Sequence, residues 1–213
     1  MSAPVCEYPE NEQARLTALR RYDILDTPPD GRFEHLTQLA AYIFNVPIAI
    51  ISLVDHDRIW FKSHFGVEVG EIQRAPGLCA SAILSDDLYI VGNALEDPRT
   101  LANPLVTGAL GLRFYAAAPL HTKDGYNLGT LCVIDKKPRF FTEQQQSVLS
   151  TLATIVMDQM ELRLSMRQYM QDIPRQIQSS IAALATLNSD GRLTSVMESL
   201  QALMRHPEQS EAR

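Results

Sequence analysis

The stretch Pro47–Gly66, PIAIISLVDHDRIWFKSHFG, decides the fold. Ile48 to Val54 is apolar at nearly every position. The run is too short to cross a membrane and rich in β-branched side chains, so it reads as a strand. Ile48, Ile50, Ser52 and Val54 fall on one side of it and Ala49, Ile51 and Leu53 on the other. A strand greasy on both faces must be covered on both faces. Asp55 to Arg58 is polar and short enough to turn the chain back into IWFKSHF, which predicts a β-hairpin.

Upstream, residues 11–22 (NEQARLTALRRY) read as a helix with Asn11 as its N-cap. A second helix follows within LDTPPDGRFEHLTQLAAYIF, with Phe33, Leu36, Ala40, Ile43 and Phe44 as its buried face. Downstream come a short helix after Gly77, a brief strand over Tyr89–Val91, and a long polar loop containing Pro98 and Pro104. Loops of that length inside a domain commonly carry function. LRFYAAAPLHTKDGYNLGTLCVIDKKPRFF predicts a second hairpin turning at KDGY. Its run Ala116, Ala117, Ala118 is small for a strand and is read as the seat of a closely docked helix rather than as a ligand cavity.

Thr142 followed by Gln145 is a capping box opening a long amphipathic helix. Val148, Leu152, Ile155, Gln159, Leu162, Met166 and Tyr169 recur at alternating steps of four and three, and Leu149, Val156, Met160 and Leu164 form a second stripe. One stripe is expected on the sheet and the other against a partner helix, with the polar Gln159 setting register. Pro174 is expected to end this helix, and two further helices joined by NSDG are expected before a polar tail.

The bulk numbers fit one domain of about 150 residues with an extension. Of 213 residues, 46% are hydrophobic and 21% charged, ordinary globular values. A net charge of −6 without a basic stripe argues against a nucleic-acid partner. No basic segment leads into an apolar one at the N-terminus, and no apolar run is long enough for a membrane span, so a cytoplasmic protein is expected. Cys6, Cys79 and Cys132 are odd in number and widely spaced, which is neither a disulfide framework nor a zinc site. The five histidines are scattered, so no metal site is expected.

Taken together, NEQARLTALRRYDILDTPPDGRFEHLTQLAAYIFNVPIAIISLVDHDRIWFKSHFGV, PGLCASAI, NALEDPRTLANPLV, LRFYAAAPL and GTLCVIDKKPRFFTEQQ resemble a bacterial GAF domain. The kind resembled precedes sensor histidine kinases and diguanylate cyclases. The resemblance spans residues 11–165, leaving 1–10 as a flexible N-terminus and 166–213 as a C-terminal helical extension. It implies an α+β fold: a central antiparallel sheet of about six strands, helices on both faces, and a pocket on one face closed by the central loops. It also implies ligand sensing or protein interaction, commonly in a homodimer formed through terminal helices.

The family's ligand chemistries can be tested on these residues. Cys79 is followed by Ala80 rather than His, which argues against a covalently linked bilin, and no cyclic-nucleotide signature or positioned haem histidine is found. The cofactor is therefore left unknown. The free methionine sulfoxide reductase branch works through clustered cysteines; Cys79 and Cys132 border the implied pocket, but a third has no match. Trp60, Lys62, Cys79, Asp97, Arg99, Asn103, Phe114 and Cys132 are the candidate ligand-binding residues. Among them Arg99 could grip a carboxylate or phosphate and Trp60 could stack on a planar ligand. Val148, Leu152, Ile155, Gln159, Leu162 and Met166 are the candidate dimer seam.

The C-terminal segment holds no kinase phospho-acceptor box and no Gly-Gly-Asp-Glu-Phe run, so no catalytic residue is assigned. The expectation is a non-catalytic sensory module that binds a small ligand, or a signalling partner such as a histidine kinase or cyclase, and relays the signal through its dimerising helix. An interaction module with a collapsed pocket and a Cys-dependent reductase are the alternatives.

Overall fold

The computed structural model describes residues 8–187 and residue 201. β1 (Ile48–Val54) is buried at all seven positions and β6 (Asn127–Asp135) at all nine, and these two strands pair antiparallel at the centre of a six-stranded sheet. The order is β3-β2-β1-β6-β5-β4, with β2 (Arg58–Phe65), β3 (Glu71–Gln73), β4 (Tyr89–Val91) and β5 (Phe114–His121), and every neighbouring pair is antiparallel. The expected α+β architecture is present, both hairpins included. β3 and the four-residue α4 (Pro104–Thr107) are too short to leave a periodic signal, and the sequence reading did not contain them.

One face of the sheet is covered by helices. α1 (Glu12–Tyr22) packs on β6, and α2 (Arg32–Phe44) packs on β1 and β2. Asn11 stands at the N-cap of α1, but its side chain makes no capping bond. The buried side of α2 is Phe33, Thr37, Ala40, Ala41 and Phe44, while Ile43 is exposed. The expected stripe is therefore rotated. At 100° per residue the face centred on Phe44 takes in Phe33, Thr37, Ala40 and Ala41 within about 60° and leaves Ile43 about 100° away.

α5 (Glu143–Leu187) opens with the expected capping box, in which Gln145 N–H donates to Thr142 Oγ1 at 3.2 Å and Thr142 N–H donates to Gln145 Oε1 at 3.0 Å. Leu149, Val156 and Met160 are buried, as one stripe was expected to be. Phe141 meets Phe44 and Phe114 at ring distances of 5.4 and 5.5 Å, and Tyr22 donates to Glu161 at 2.6 Å. Contrary to expectation, the helix continues through Pro174. Its flanks, SMRQYMQDI and RQIQ, are rich in strong helix formers, and a proline removes only one backbone bond, so the helix absorbs the cost. The chain divides into two compact units, residues 1–161 and 162–213. The turn NSDG and the helix pair expected around it lie outside the described residues.

The β1–β2 register shifts between Ile51 and Ser52, where Ile51 pairs with Ser63 but Ser52 pairs with Phe61. Lys62 is the extra residue of this bulge. It turns with Ser63 toward the helices: Lys62 Nζ donates to the Pro28 carbonyl at 2.9 Å, and the Ser63 and Thr37 hydroxyls meet at 2.8 Å.

At the other end of β1, Arg74 ties three elements together. Its Nη1 donates to Glu12 on α1 at 2.5 Å and to the Asp55 carbonyl in the β1–β2 turn at 2.8 Å. Its own N–H bonds the Asp57 carbonyl at 3.0 Å. Arg15 grips the same Glu12 carboxylate through Nε at 2.7 Å and Nη2 at 2.8 Å.

Two outcomes are expected of this frame. A Cβ at Gly129 would lie 1.9 Å from the Ser52 carbonyl oxygen and 2.8 Å from Leu53 Cα, both backbone atoms of the central strand. Gly129→Ala should cost at least ~3 kcal/mol in urea unfolding, against ~1 kcal/mol for Gly125→Ala, a strained turn position with open space. Equal unfolding midpoints would contradict this packing.

Burial alone would raise the Glu12 carboxyl, but hydrogen bonds and charge from Arg15 and Arg74 outweigh it and bring the group down from 4.5 to about 2. A depressed carboxylate contributes stability that is present above its unfolded value and is lost as pH falls through the folded one. Stability should therefore decline between pH 4.5 and about 2. The decline should be shallower in Glu12→Gln, measured by urea melts across that window.

Candidate functional site

Alternation along the strands turns Ile48, Ile50, Phe61, Cys132 and Ile134 to the face opposite the helices. α3 (Leu78–Ala82), α4 and the segments between them cover that face. The cover leaves a cavity of about 240 Å³, walled by the sheet residues together with Leu78, Cys79, Leu105, Leu110, Leu112 and Tyr115. Val67 and Val69 close one end, and Val69 is exposed there, giving the cavity a side toward solvent.

The polar content of the wall is concentrated in one cluster. The buried Tyr115 hydroxyl donates to Cys79 Sγ at 3.2 Å, and Cys132 hydrogen-bonds the same sulfur. Beneath them the Ser52 and Thr130 hydroxyls meet at 3.0 Å. The bond from Cys132, helped by Ser52, Tyr115 and Thr130, pulls the Cys79 thiol down against its burial. Cys79 and burial hold the Cys132 thiol up, and burial keeps the Tyr115 phenol neutral. Such a wall suits an uncharged apolar molecule with at most one group facing the sulfurs, because an ion placed there would lose its hydration without gaining a counter-charge.

Of the eight residues proposed for ligand binding, the structure brings only Cys79 and Cys132 into this wall. Lys62 lies on the helix-covered face through the bulge, bonded to Thr27 and Pro28. Phe114 is on that face too, against Phe141, and Trp60, paired opposite Leu53, points the same way. Asp97 and Arg99 satisfy each other through two bonds, 2.9 and 2.6 Å; Arg99 Nη2 also donates to the Ile90 carbonyl at 2.8 Å, and its guanidinium stacks on Tyr89 at 4.5 Å. That loop is ordered from within. Asn103 caps α4, accepting from Leu105 N–H at 2.8 Å and donating to the Pro76 carbonyl at 2.8 Å.

Tyr115, which the sequence reading passed over for its neighbour Phe114, is the aromatic that faces the cavity. The signal was available in the register. Ala117 pairs with Cys132 and shares its face, so Tyr115, two residues away, shares it as well. Leu105 was passed over because it ends a segment read as a polar loop, and Leu112 because it opens a strand whose inward side was not assigned. Ala117 does look onto the cavity side, while Ala116 and Ala118 take the other face.

On the expected dimer seam, Leu152 is buried, Val148 and Gln159 are half-buried, and Ile155, Leu162 and Met166 are exposed. Among the described residues no group of three or more His, Cys, Asp or Glu side chains is placed to hold a metal ion, and no helix is long and apolar enough to cross a membrane.

Comparison with known proteins agrees with this geometry. A cyclic di-GMP phosphodiesterase of Pseudomonas aeruginosa is 40% identical over 151 residues, 70% of this chain but only 26% of the relative's length. The GAF domain of an Acinetobacter phosphoenolpyruvate-protein phosphotransferase superposes with a TM-score of 0.51 at 20% identity, covering 75% of this chain and 98% of that one. The free methionine-R-sulfoxide reductase of Neisseria meningitidis, solved with its substrate, superposes with a TM-score of 0.53 at 19% identity, covering 78% and 99%. At such identities these two likenesses concern the fold alone. The GAF domain family model matches residues 28–160, strands, loop layer and the first turns of α5 alike, and the chain belongs to the GAF domain family of sensory and regulatory modules.

Proposed function

We propose that the chain is a non-catalytic sensory module that binds a small, uncharged, largely apolar molecule and passes its occupancy to a signalling partner through α5. The cavity carries this reading. Native interiors seldom leave a void larger than a water molecule, because unfilled space forfeits dispersion contacts, on the order of several kcal/mol for one this large. Here about 240 Å³ is left between the sheet and its loop layer. A ligand that fills it favours the loop arrangement it fits, by its differential affinity for that arrangement.

The output side of the proposal rests on α5. Ile155, Leu162, Met166 and Tyr169 are exposed at heptad spacing, with Gln159 at an inner position, the pattern of a two-stranded seam. Homodimerisation through this seam gives the module two geometries to choose between. The partner we favour is an enzyme of cyclic di-GMP turnover, because the relative with 40% identity carries that activity. A histidine kinase would be served by the same helix.

A second reading has one observation in its favour, the contact between Cys79 and Cys132. As a reductase the pair would give two electrons and two protons to a sulfoxide, releasing thioether and water and closing a disulfide. Against it, both sulfurs are buried, and Cys132, the partner that must close the disulfide, is held as the thiol by Cys79 and by burial.

In native mass spectrometry of protein from its own host, the expected species is a dimer, twice the 23.8 kDa chain, that retains a defined ligand mass. An empty chain that no uncharged metabolite stabilises would refute the sensor; methionine formed from its sulfoxide would establish the reductase. Ile155→Asp with Leu162→Asp should yield monomers by sedimentation that keep the wild-type circular dichroism spectrum at low temperature, since both side chains are exposed in the single chain. A dimer that survives both changes would remove α5 from the interface.

A further inference from the structure

A second site, outside the cavity, is built from two buried arginines. Arg15 and Arg74 are 1% and 2% exposed, yet they share a single carboxylate, Glu12. Arg15 spends Nε and Nη2 on Glu12, and Arg74 spends Nη1 on Glu12 and the Asp55 carbonyl. Among the described residues, three donors remain buried without a partner: Arg15 Nη1, and Nε and Nη2 of Arg74.

The last two are not a random pair. Nε and Nη2 form the guanidinium edge that takes two oxygens of one oxyanion by parallel bonds, the mode by which Arg15 holds Glu12. Two guanidinium groups against one carboxylate also leave a positive charge where burial penalises it. The half-exposed Tyr8 ring stacks on the Arg74 guanidinium at 4.2 Å. Tyr8 and Arg74 both line a surface groove of about 690 Å³ with Asp57, Arg58, Glu71 and Gln73. Asp57 and Glu71 at the groove favour a singly charged anion over a dianion.

We propose that the Nε/Nη2 edge of Arg74 is a binding site for the carboxylate of a small organic acid. The Arg74 carbonyl accepts from Gly77 N–H at 2.9 Å at the start of α3, and α3 carries Cys79 in the cavity wall. An acid bound there braces α1, the β1–β2 turn and the entrance to α3 as one unit. The site does not depend on the cavity having a ligand.

The test uses the full chain and three salts at equal ionic strength: sodium acetate, sodium phosphate and sodium chloride. Acetate should shift the Arg74 side-chain Nε–H resonance saturably and raise the melting temperature beyond chloride. Arg74→Lys, which keeps the charge and loses the fork, identifies the resonance and should weaken acetate's thermal effect roughly tenfold or more. Because the wild-type melt is read independently, a misfolded variant does not spare the proposal. An acetate response no larger than that to chloride would overturn it, as ordered water would then suffice for the donors. A response to phosphate alone would overturn the carboxylate assignment.

Discussion

The pairing of β1 with β6 is the constraint on which the structure depends. Both strands are buried along their whole length, so the sheet needs a covering layer on each face. The two layers are built differently. The helices supply long apolar faces that interdigitate with Ala49, Ile51 and Leu53, whereas the other face is roofed by short helices and loops. Short elements cannot follow a twisted sheet as closely as a long helix can, and the mismatch is taken up as the cavity.

Gly129 shows how close the central approach is. Ser52 and Leu53 backbone atoms occupy the space a side chain would need, so this glycine is required by contact rather than by conformation. The same neighbourhood holds the Ser52–Thr130 hydroxyl pair and, two register steps along on the same face, Cys132. The polar cluster of the cavity thus sits on the fully buried central strand pair, while Tyr115 and Cys79 reach it from β5 and α3.

Much of this architecture was legible in the residues. Period-two alternation located β1, the turns DHDR and KDGY located β2, β5 and β6, and the Thr142–Gln145 box marked the start of α5. What escaped had physical causes. β3 and α4 are shorter than any period that could reveal them. The bulge at Lys62 inverts the face of the residue that carries it, which alternation alone cannot foresee. Arg99 and Asn103 were attractive as binding groups because they are polar residues in a loop, but the loop itself consumes their hydrogen bonds. The cavity wall was obscured for the opposite reason: its side chains are ordinary Leu, Ile and Val, and only their convergence distinguishes them. Pro174 carried a valid rule that the surrounding helix formers overrode.

Arg99 has a bearing on how such modules associate. β4 is the outermost strand at its side of the sheet, and an outer strand offers unpaired backbone groups to any passing strand. The Ile90 carbonyl on β4 is already taken by the Arg99 guanidinium, which is itself pinned by Asp97 and stacked on Tyr89. A foreign strand would have to break that ion pair before its first backbone bond could form. The sheet margin at β4 is thereby guarded against strand addition by a side chain of the same chain.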